Sequence, residues 1–217
     1  MKFLIISGGH IEDTFALEWL QEHKYDQIIA ADSGMHFLHR NHIVPDVIAG
    51  DFDSVSEESL EVFQQMQGVE VLRLNPVKDD TDTEYVLREA IRRGASEITV
   101  LGATGTRLDH VLANIYLLGI GLESNVSIQL VDAHNRIRMI NDSLTISHTE
   151  QFGGFVSVLP VNGNAKGVTL KGMKYPLQDA VVPQFSSLGV SNEIADETAE
   201  ISVTNGIILV IESRDKY

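Results

Sequence analysis

Val47-Ile48-Ala49-Gly50-Asp51-Phe52-Asp53-Ser54 passes from three apolar residues through a glycine into two aspartates flanking a phenylalanine. A short apolar run with no alternation is the pattern of a strand buried on both faces of a parallel sheet. The abrupt change to acid marks the end of that strand and the start of a loop. In open α/β sheets, ligands bind outside the carboxyl ends of the strands. A second acidic cluster, Lys78-Asp79-Asp80-Thr81-Asp82, follows the next apolar run. Carboxylates gathered at one strand edge repel: at about 4 Å a like-charge pair costs roughly 4 kcal/mol at an intermediate dielectric. A divalent cation relieves that crowding, and oxygen-only donors favour magnesium, calcium or manganese. The first reading of these residues is magnesium-dependent chemistry on a phosphate compound.

Outward from this stretch, strand and helix alternate. Apolar runs at Phe3–Ile6, Gln27–Ala31, Asp46–Ala49, Val69–Leu74 and Glu97–Leu101 predict strands. Helical patterns lie near Thr14–Gln21, Gly34–Arg40, Glu57–Met66, Thr83–Arg93 and Leu108–Gly119. In the last, Leu108, Val111, Leu112, Ile115 and Leu118 share one stripe, which predicts a buried helical face. This alternation implies a mostly parallel sheet covered by helices. From about Val126 the pattern changes to strands: Ser127–Val131, Arg136–Ile140, Ser143–Ser147, Phe155–Pro160, Gly167–Lys171 and Glu200–Glu212. Asn205-Gly206 between β-rich runs predicts a hairpin, and Asn162-Gly163 another turn. The expected organisation is an α/β domain over residues 1–125 and an all-β sandwich or barrel over 126–217, with the boundary near Ser124–Asn125.

The chain has 217 residues, 43% hydrophobic, and a formal net charge of −15. Such acidity suits nucleic acid poorly, because binding it requires cations against the phosphate backbone. It also means that a polyphosphate reaches Asp51 and Asp53 only with a metal between them. The chain has no cysteine, which excludes disulfides, thiolate zinc sites and cysteine nucleophiles. The opening Met1-Lys2-Phe3-Leu4-Ile5-Ile6-Ser7-Gly8-Gly9 is too short in apolar residues for a signal peptide. No stretch approaches the ~20 apolar residues of a membrane helix, so a cytoplasmic protein is the default expectation.

Several acids have a plainer reading. Ser54-Val55-Ser56-Glu57, Thr81-Asp82-Thr83-Glu84 and Thr106-Arg107-Leu108-Asp109 each fit a capping box, which accounts for Glu57, Glu84 and Asp109. Capping does not account for Asp51 and Asp53, since both precede the cap. Asp79 and Asp80 fit a solvated loop as well as a ligand set. Asp32, in Asp32-Ser33-Gly34 after the second strand, reads as a helix N-cap or a ligand-binding acid, with the cap favoured. Gly102-Ala103-Thr104-Gly105-Thr106-Arg107-Leu108-Asp109-His110 joins the fifth strand to its helix; glycines there admit backbone N–H groups to an anion, and Arg107 can clamp a phosphate with two parallel bonds. The alternative is an ordinary glycine turn with a surface arginine. Ser7-Gly8-Gly9 is a second candidate phosphate turn, though both G-x-G-x-x-G and the P-loop signature are missing. His36 and His39 read as a surface pair, His110 as the histidine nearest the chemistry, and Trp19 as core.

Together these motifs carry a resemblance. Ala31-Asp32-Ser33-Gly34, Pro45-Asp46-Val47-Ile48-Ala49-Gly50-Asp51-Phe52-Asp53-Ser54, Asp79-Asp80-Thr81-Asp82 and Gly105-Thr106-Arg107-Leu108-Asp109-His110 resemble, in order, the bacterial thiamine pyrophosphokinases. Gly172-Met173-Lys174-Tyr175-Pro176-Leu177 and Ser191-Asn192-Glu193 resemble that family's C-terminal signatures. The resemblance implies transfer of pyrophosphate from ATP to the hydroxyl of thiamine, giving thiamine diphosphate and AMP. It implies Mg2+ held by Asp51, Asp53 and Asp82, with Arg107 joining them in catalysis. Asp32, Lys78, Gly102, Thr104, Gly105, Arg107, Asp109, His110 and Asn114 would bind ATP. Tyr175, Ser191 and Asn192 would fall near thiamine, contributed from the opposite subunit of a homodimer whose sites lie at the subunit interface. The family often has a second glycine where Ser33 stands, and some members have glutamine where Lys78 stands. Members outside bacteria stack a C-terminal tryptophan on thiamine; this chain has none there.

Two rivals remain at this stage. Asp51-Phe52-Asp53-Ser54-Val55 matches part of the haloacid-dehalogenase phosphatase pattern, with Asp51 as nucleophile, although that motif normally follows the first strand rather than the third. The other rival is a nucleotide or metal sensor without turnover.

Overall fold

The computed structural model describes residues 1–53, 55–75 and 79–215, apart from the side chain of Glu57. The chain divides into two compact units, Met1–Ala133 and His134 onward. In the first, strands β1 (Lys2–Ile6), β2 (Gln27–Ala31), β3 (Val47–Gly50), β4 (Glu70–Arg73), β5 (Glu97–Leu101) and β6 (Ser127–Val131) run parallel in the order β4-β3-β2-β1-β5-β6. Helices α1 (Asp13–Glu22), α2 (Met35–Arg40), α3 (Glu57–Gln65), α4 (Asp82–Arg92) and α5 (Leu108–Leu117) connect them, followed by α6 (Gly119–Ser124). Phe3, Leu4, Ile5 and Ile6 of the central strand are wholly buried, as a strand covered on both faces requires. Trp19 is core, stacked on His23 and donating its indole N–H to the Tyr25 hydroxyl at 2.7 Å. β6, expected beyond the boundary, pairs with β5 and extends the parallel sheet.

The chain runs outward from β1 to β4, then returns to lay β5 on the other side of β1. The boundary between β1 and β5 is therefore the point where the strand order reverses, and a crevice opens there at the carboxyl ends of the strands.

The second unit holds two antiparallel sheets. One contains β7 (Asn135–Ile140), β13 (Ile208–Ser213) and β9 (Phe155–Pro160), with β13 central. The other has the order β11-β10-β12-β8, from β8 (Ser143–Ser147), β10 (Ala165–Lys171), β11 (Leu177–Val182) and β12 (Thr198–Ser202). Val156, Val158, Val168, Leu170, Ile201 and Val210 belong to their shared core. This is the expected sandwich. At one end, Glu212 is 0% exposed and carries the guanidinium groups of Arg136 and Arg138. Burial lowers the affinity of Arg138 for its proton, against the pull of Glu212.

Several expectations need correction. In the α5 stripe Leu108 is 72% and Leu112 54% exposed, Val111 and Ile115 are half-buried and Leu118 is buried, so part of the stripe faces outward, and the buried residue within α5 itself is Asn114. Asn205-Gly206 makes no hairpin: β12 and β13 lie in different sheets, and Asn205 instead bridges Lys166. The N-cap of α3 is Ser56, which accepts from Ser59 N; Ser54 lies outside the described residues. The N-cap of α5 is Arg107, without a side-chain cap bond from Thr106. Thr81 does cap α4, accepting from Glu84 N at 3.2 Å. Asp32 opens a short 3-10 turn, Asp32–Gly34, whose N-cap is Ala31, and the N-cap position of α2 is Gly34 rather than Asp32. His36 and His39 are half-buried and both turn Nδ1 to the buried Ser59.

Candidate active site

The crevice between the loops of β1 and β5 is a cavity of about 680 Å³. Its floor is stitched from backbone. Ser7 N donates to Leu101 O at 2.8 Å, Gly9 N to Gly102 O at 2.7 Å, and His10 N to Thr104 O at 2.7 Å. The contact is so close that a Cβ on Gly9 would meet Thr104 O at 2.3 Å and Gly102 O at 2.4 Å. Only glycine fits there, which explains the Gly8-Gly9 pair better than conformational freedom does.

The other walls come from the remaining strand ends: Asp32 and Ser33 after β2, Asp51 after β3, and Asp80, Thr81, Asp82 and Thr83 at the start of α4. Gly50 packs against Asp32, where an added Cβ would lie 3.2 Å from its Cα. Phe52 takes a left-handed conformation (φ 66°) that a bulky residue rarely adopts. Its ring is buried and has the Arg73 guanidinium 5.7 Å from its centroid. This anchored turn folds the loop back, so that Asp53 N donates to Asp51 Oδ1 at 3.2 Å.

The result is a carboxylate cluster. Asp32, Asp51 and Asp53 each offer an oxygen within 4.8 Å of the others. The Asp51 carboxyl beside it, first by hydrogen bonding and then by charge, raises the proton affinity of Asp53, and Asp32 and Asp82 add to this. Side chains that repel in this way, offering only oxygen, fit a hard dication. Asp82 lines the same cavity without joining the tightest group.

Across the cavity, Arg107 makes a two-pronged bond to Asp109, Nη2 to Oδ2 at 2.6 Å and Nε to Oδ1 at 3.2 Å, on an exposed surface. That bond holds the Asp109 carboxyl down at about 2. The fork geometry is the one Arg107 would offer to a phosphate. Gly102, Thr104, Gly105 and His110 also line the cavity. Asn114 is buried against it, donating Nδ2 to Ala103 O at 2.7 Å. Lys78 lies outside the described residues.

In the second unit, Tyr175, Ser191 and Asn192 come together. The Asn192 amide accepts from Tyr175 N at 3.0 Å and donates to Tyr175 O at 2.8 Å, fixing that segment, while the Tyr175 side chain stays exposed. Ser191, at φ 57°, donates its N–H to Ser157 Oγ at 3.0 Å.

Sequence reasoning reached most of the cavity but missed His10 and Thr83 and favoured a cap for Asp32. The direct contact of the β1 and β5 loops, which carries His10 into the wall, has no signature in either loop alone. Thr83 is explained as a capping-box interior position, yet its hydroxyl lies 2.6 Å from that of Ser7.

The model of the thiamin pyrophosphokinase catalytic domain matches residues 19–130, and that of the thiamin pyrophosphokinase vitamin B1 binding domain matches residues 143–208. Thiamine pyrophosphokinase of Bacillus subtilis is 32% identical over 188 residues, covering 86% of this chain and 87% of that one. The crystal structure of the Bacillus subtilis thiamine pyrophosphokinase superposes with a TM-score of 0.88 at 30% identity, over 100% of both chains. The fold also matches thiamin pyrophosphokinase from Candida albicans, with a TM-score of 0.81 at 20% identity over 98% of this chain and 88% of that one.

Proposed function

This chain belongs to the thiamine pyrophosphokinase family, and on that premise we propose how its residues divide the reaction between them. It transfers pyrophosphate from ATP to the hydroxyl of thiamine, giving thiamine diphosphate and AMP. Such a kinase needs a divalent metal; the oxygen-only donors favour magnesium, held by Asp51, Asp53 and Asp82. A dication held by these residues would supply charge neutralisation for the ATP phosphates. The chain does the rest. The glycine loops after β1 and β5 receive ATP, with Gly102, Thr104, Gly105, His110 and Asn114 along its path. Arg107 exchanges Asp109 for phosphate oxygens and stabilises charge that grows as the bond to AMP breaks. Asp32, inside the carboxylate cluster, is our choice to accept the alcohol proton as its oxygen attacks the β-phosphorus. Lys78 would add a cation; this rests on its place in the sequence.

The unit ending at Ala133 thus binds ATP and metal, the unit from His134 onward binds thiamine, and both take part in the dimer. Tyr175 and Ser191 meet thiamine, and Asn192 holds Tyr175 in place. The homodimer is supported by apolar surface on both units: the outward stripe of Leu108, Leu112 and Tyr116 on α5, and Phe185, which is 97% exposed. Isolated apolar residues are ordinary on a surface, but a stripe at helical spacing marks an interface. The cytoplasm is the compartment we propose; among the described residues no helix is long and apolar enough to cross a membrane.

The observation that carries this reading is the meeting of Asp32, Asp51 and Asp53 beside a cavity floored by two glycine loops. The test is to incubate the protein with ATP, magnesium and thiamine and to resolve AMP from ADP. AMP released one-for-one with thiamine diphosphate is expected. ADP as product, or a phosphoaspartate at Asp51, would overturn it. The phosphatase and sensor readings draw no support from the family matches.

A further inference from the structure

Ser59 is the third residue of α3 and only 3% exposed. Three side chains close on its oxygen: His39 Nδ1 at 2.8 Å, His36 Nδ1 at 3.4 Å, and Ser56 Oγ, which donates at 3.0 Å. A hydroxyl donates once and accepts twice. With Ser56 donating, one imidazole must take the Ser59 proton and the other must give its own. The three bonds therefore form one closed arrangement, and His39 is further fixed edge-on to the Phe63 ring.

This knot lies between the two elements that bear the carboxylate cluster. His36 and His39 are on α2, which continues directly from the turn opened by Asp32. Ser56 and Ser59 begin α3, which follows the loop of Asp51 and Asp53. The three carboxylates repel one another, so whatever joins α2 to α3 sets how closely they are held. Building on the metal reading above, in which the Asp32 carboxylate lies within 4.8 Å of those of Asp51 and Asp53 and so adds its charge to the ion they hold, we propose that Ser59, gripped by His36 and His39, is the positioning residue that fixes the spacing of Asp32 against Asp51 and Asp53.

Partners hydrogen-bonded to metal ligands typically govern about 10–100-fold in affinity, and Ser59, which acts on the aspartates through α2 and α3, belongs at the low end of that range. The test measures Mn2+ binding to the free protein from loss of the free-ion EPR signal, beside thiamine-dependent AMP release titrated with metal. The variants are Ser59→Ala, His39→Leu and His39→Asn, whose side-chain amide can stand where Nδ1 stood. Ser59→Ala and His39→Leu are expected to weaken Mn2+ binding about tenfold and to raise the half-saturating metal equally, with kcat at saturating metal retained. His39→Asn is expected to recover most of the affinity. Wild-type Mn2+ affinity in Ser59→Ala, or equal losses in His39→Asn and His39→Leu, would overturn the proposal; the histidine pair alone decides it if Ser59→Ala does not fold. Wild-type protein that binds no Mn2+ would sink the metal reading and this inference together.

Discussion

Glu212→Gln tests the interior of the second unit and comes with a magnitude. Glu212 is wholly buried and accepts four hydrogen bonds, from Arg136 Nε at 2.9 Å, Arg136 Nη2 at 2.7 Å, Arg138 Nη2, and Phe152 N at 2.9 Å. Glutamine keeps the shape but removes the only carboxylate between two guanidinium groups, and its NH2 points a donor at a donor. Breaking a buried pair by removing one partner costs about 3–5 kcal/mol. With a urea m-value of about 2 kcal/mol/M, a loss of about 4 kcal/mol lowers the midpoint by about 2 M. Two probes separate the units. Trp19 is the sole tryptophan and lies in the first unit, so its fluorescence follows that unit, whereas far-UV circular dichroism follows both. The dichroic transition of the second unit should move and the Trp19 transition should stay. Combining Glu212→Leu with Arg136→Met and Arg138→Leu should recover the midpoint, because apolar side chains of similar volume need no counter-charge. A shift below about 0.5 M would refute the reasoning, since it would mean that water or another group already serves the two arginines.

Asp51→Asn and Asp53→Asn should each lose most turnover at saturating magnesium while keeping the wild-type dichroism spectrum; near-normal AMP release by either would contradict their assignment. Gly9→Ala should abolish ATP binding measured by calorimetry, because the new methyl displaces Thr104 O and Gly102 O from the cavity floor. Thr81→Ala should cost about 1 kcal/mol of stability through the lost cap of α4, read by thermal melting. The Asp109 carboxyl, held at about 2 by Arg107, is depressed in the folded protein, so its contribution is present above the ordinary carboxylate range and fades as pH falls toward about 2. Arg107→Ala should return the Asp109 titration, followed by carboxyl carbon NMR, toward the usual value of 3.8.

The α/β half was legible because its central strands β1, β3 and β5 are buried on both faces, and a run such as Phe3–Ile6 or Ile98–Leu101 has no amphipathic alternative. Legibility fell where a residue's partner is distant. The stripe on α5 has the spacing of a buried face, yet hydrophobicity cannot say which surface covers it. Asn205-Gly206 has hairpin chemistry, but the strands it joins pair in separate sheets. β11 went unread: Leu177-Gln178-Asp179-Ala180-Val181-Val182 is an edge strand with half its residues exposed, and it lacks clean alternation. In the site, Asp51 and Asp53 stood out because no local role explains them. Asp32 was hidden by a local role that it does not fill, and the histidine pair by a serine more than twenty positions from His36.

The placement of β13 governs how this protein must be built. It is the final strand of the second unit along the chain, yet it lies between β7 and β9 and contributes Ile208, Val210 and Glu212 to the interior. During synthesis β7 and β9 therefore wait, with their hydrogen-bonding edges and apolar faces open, until residue 213 has emerged. The six parallel strands of the first unit end at Val131 and leave the ribosome before any of these. Nascent chains stalled between Val131 and residue 213 should expose protease-sensitive, chaperone-binding β segments.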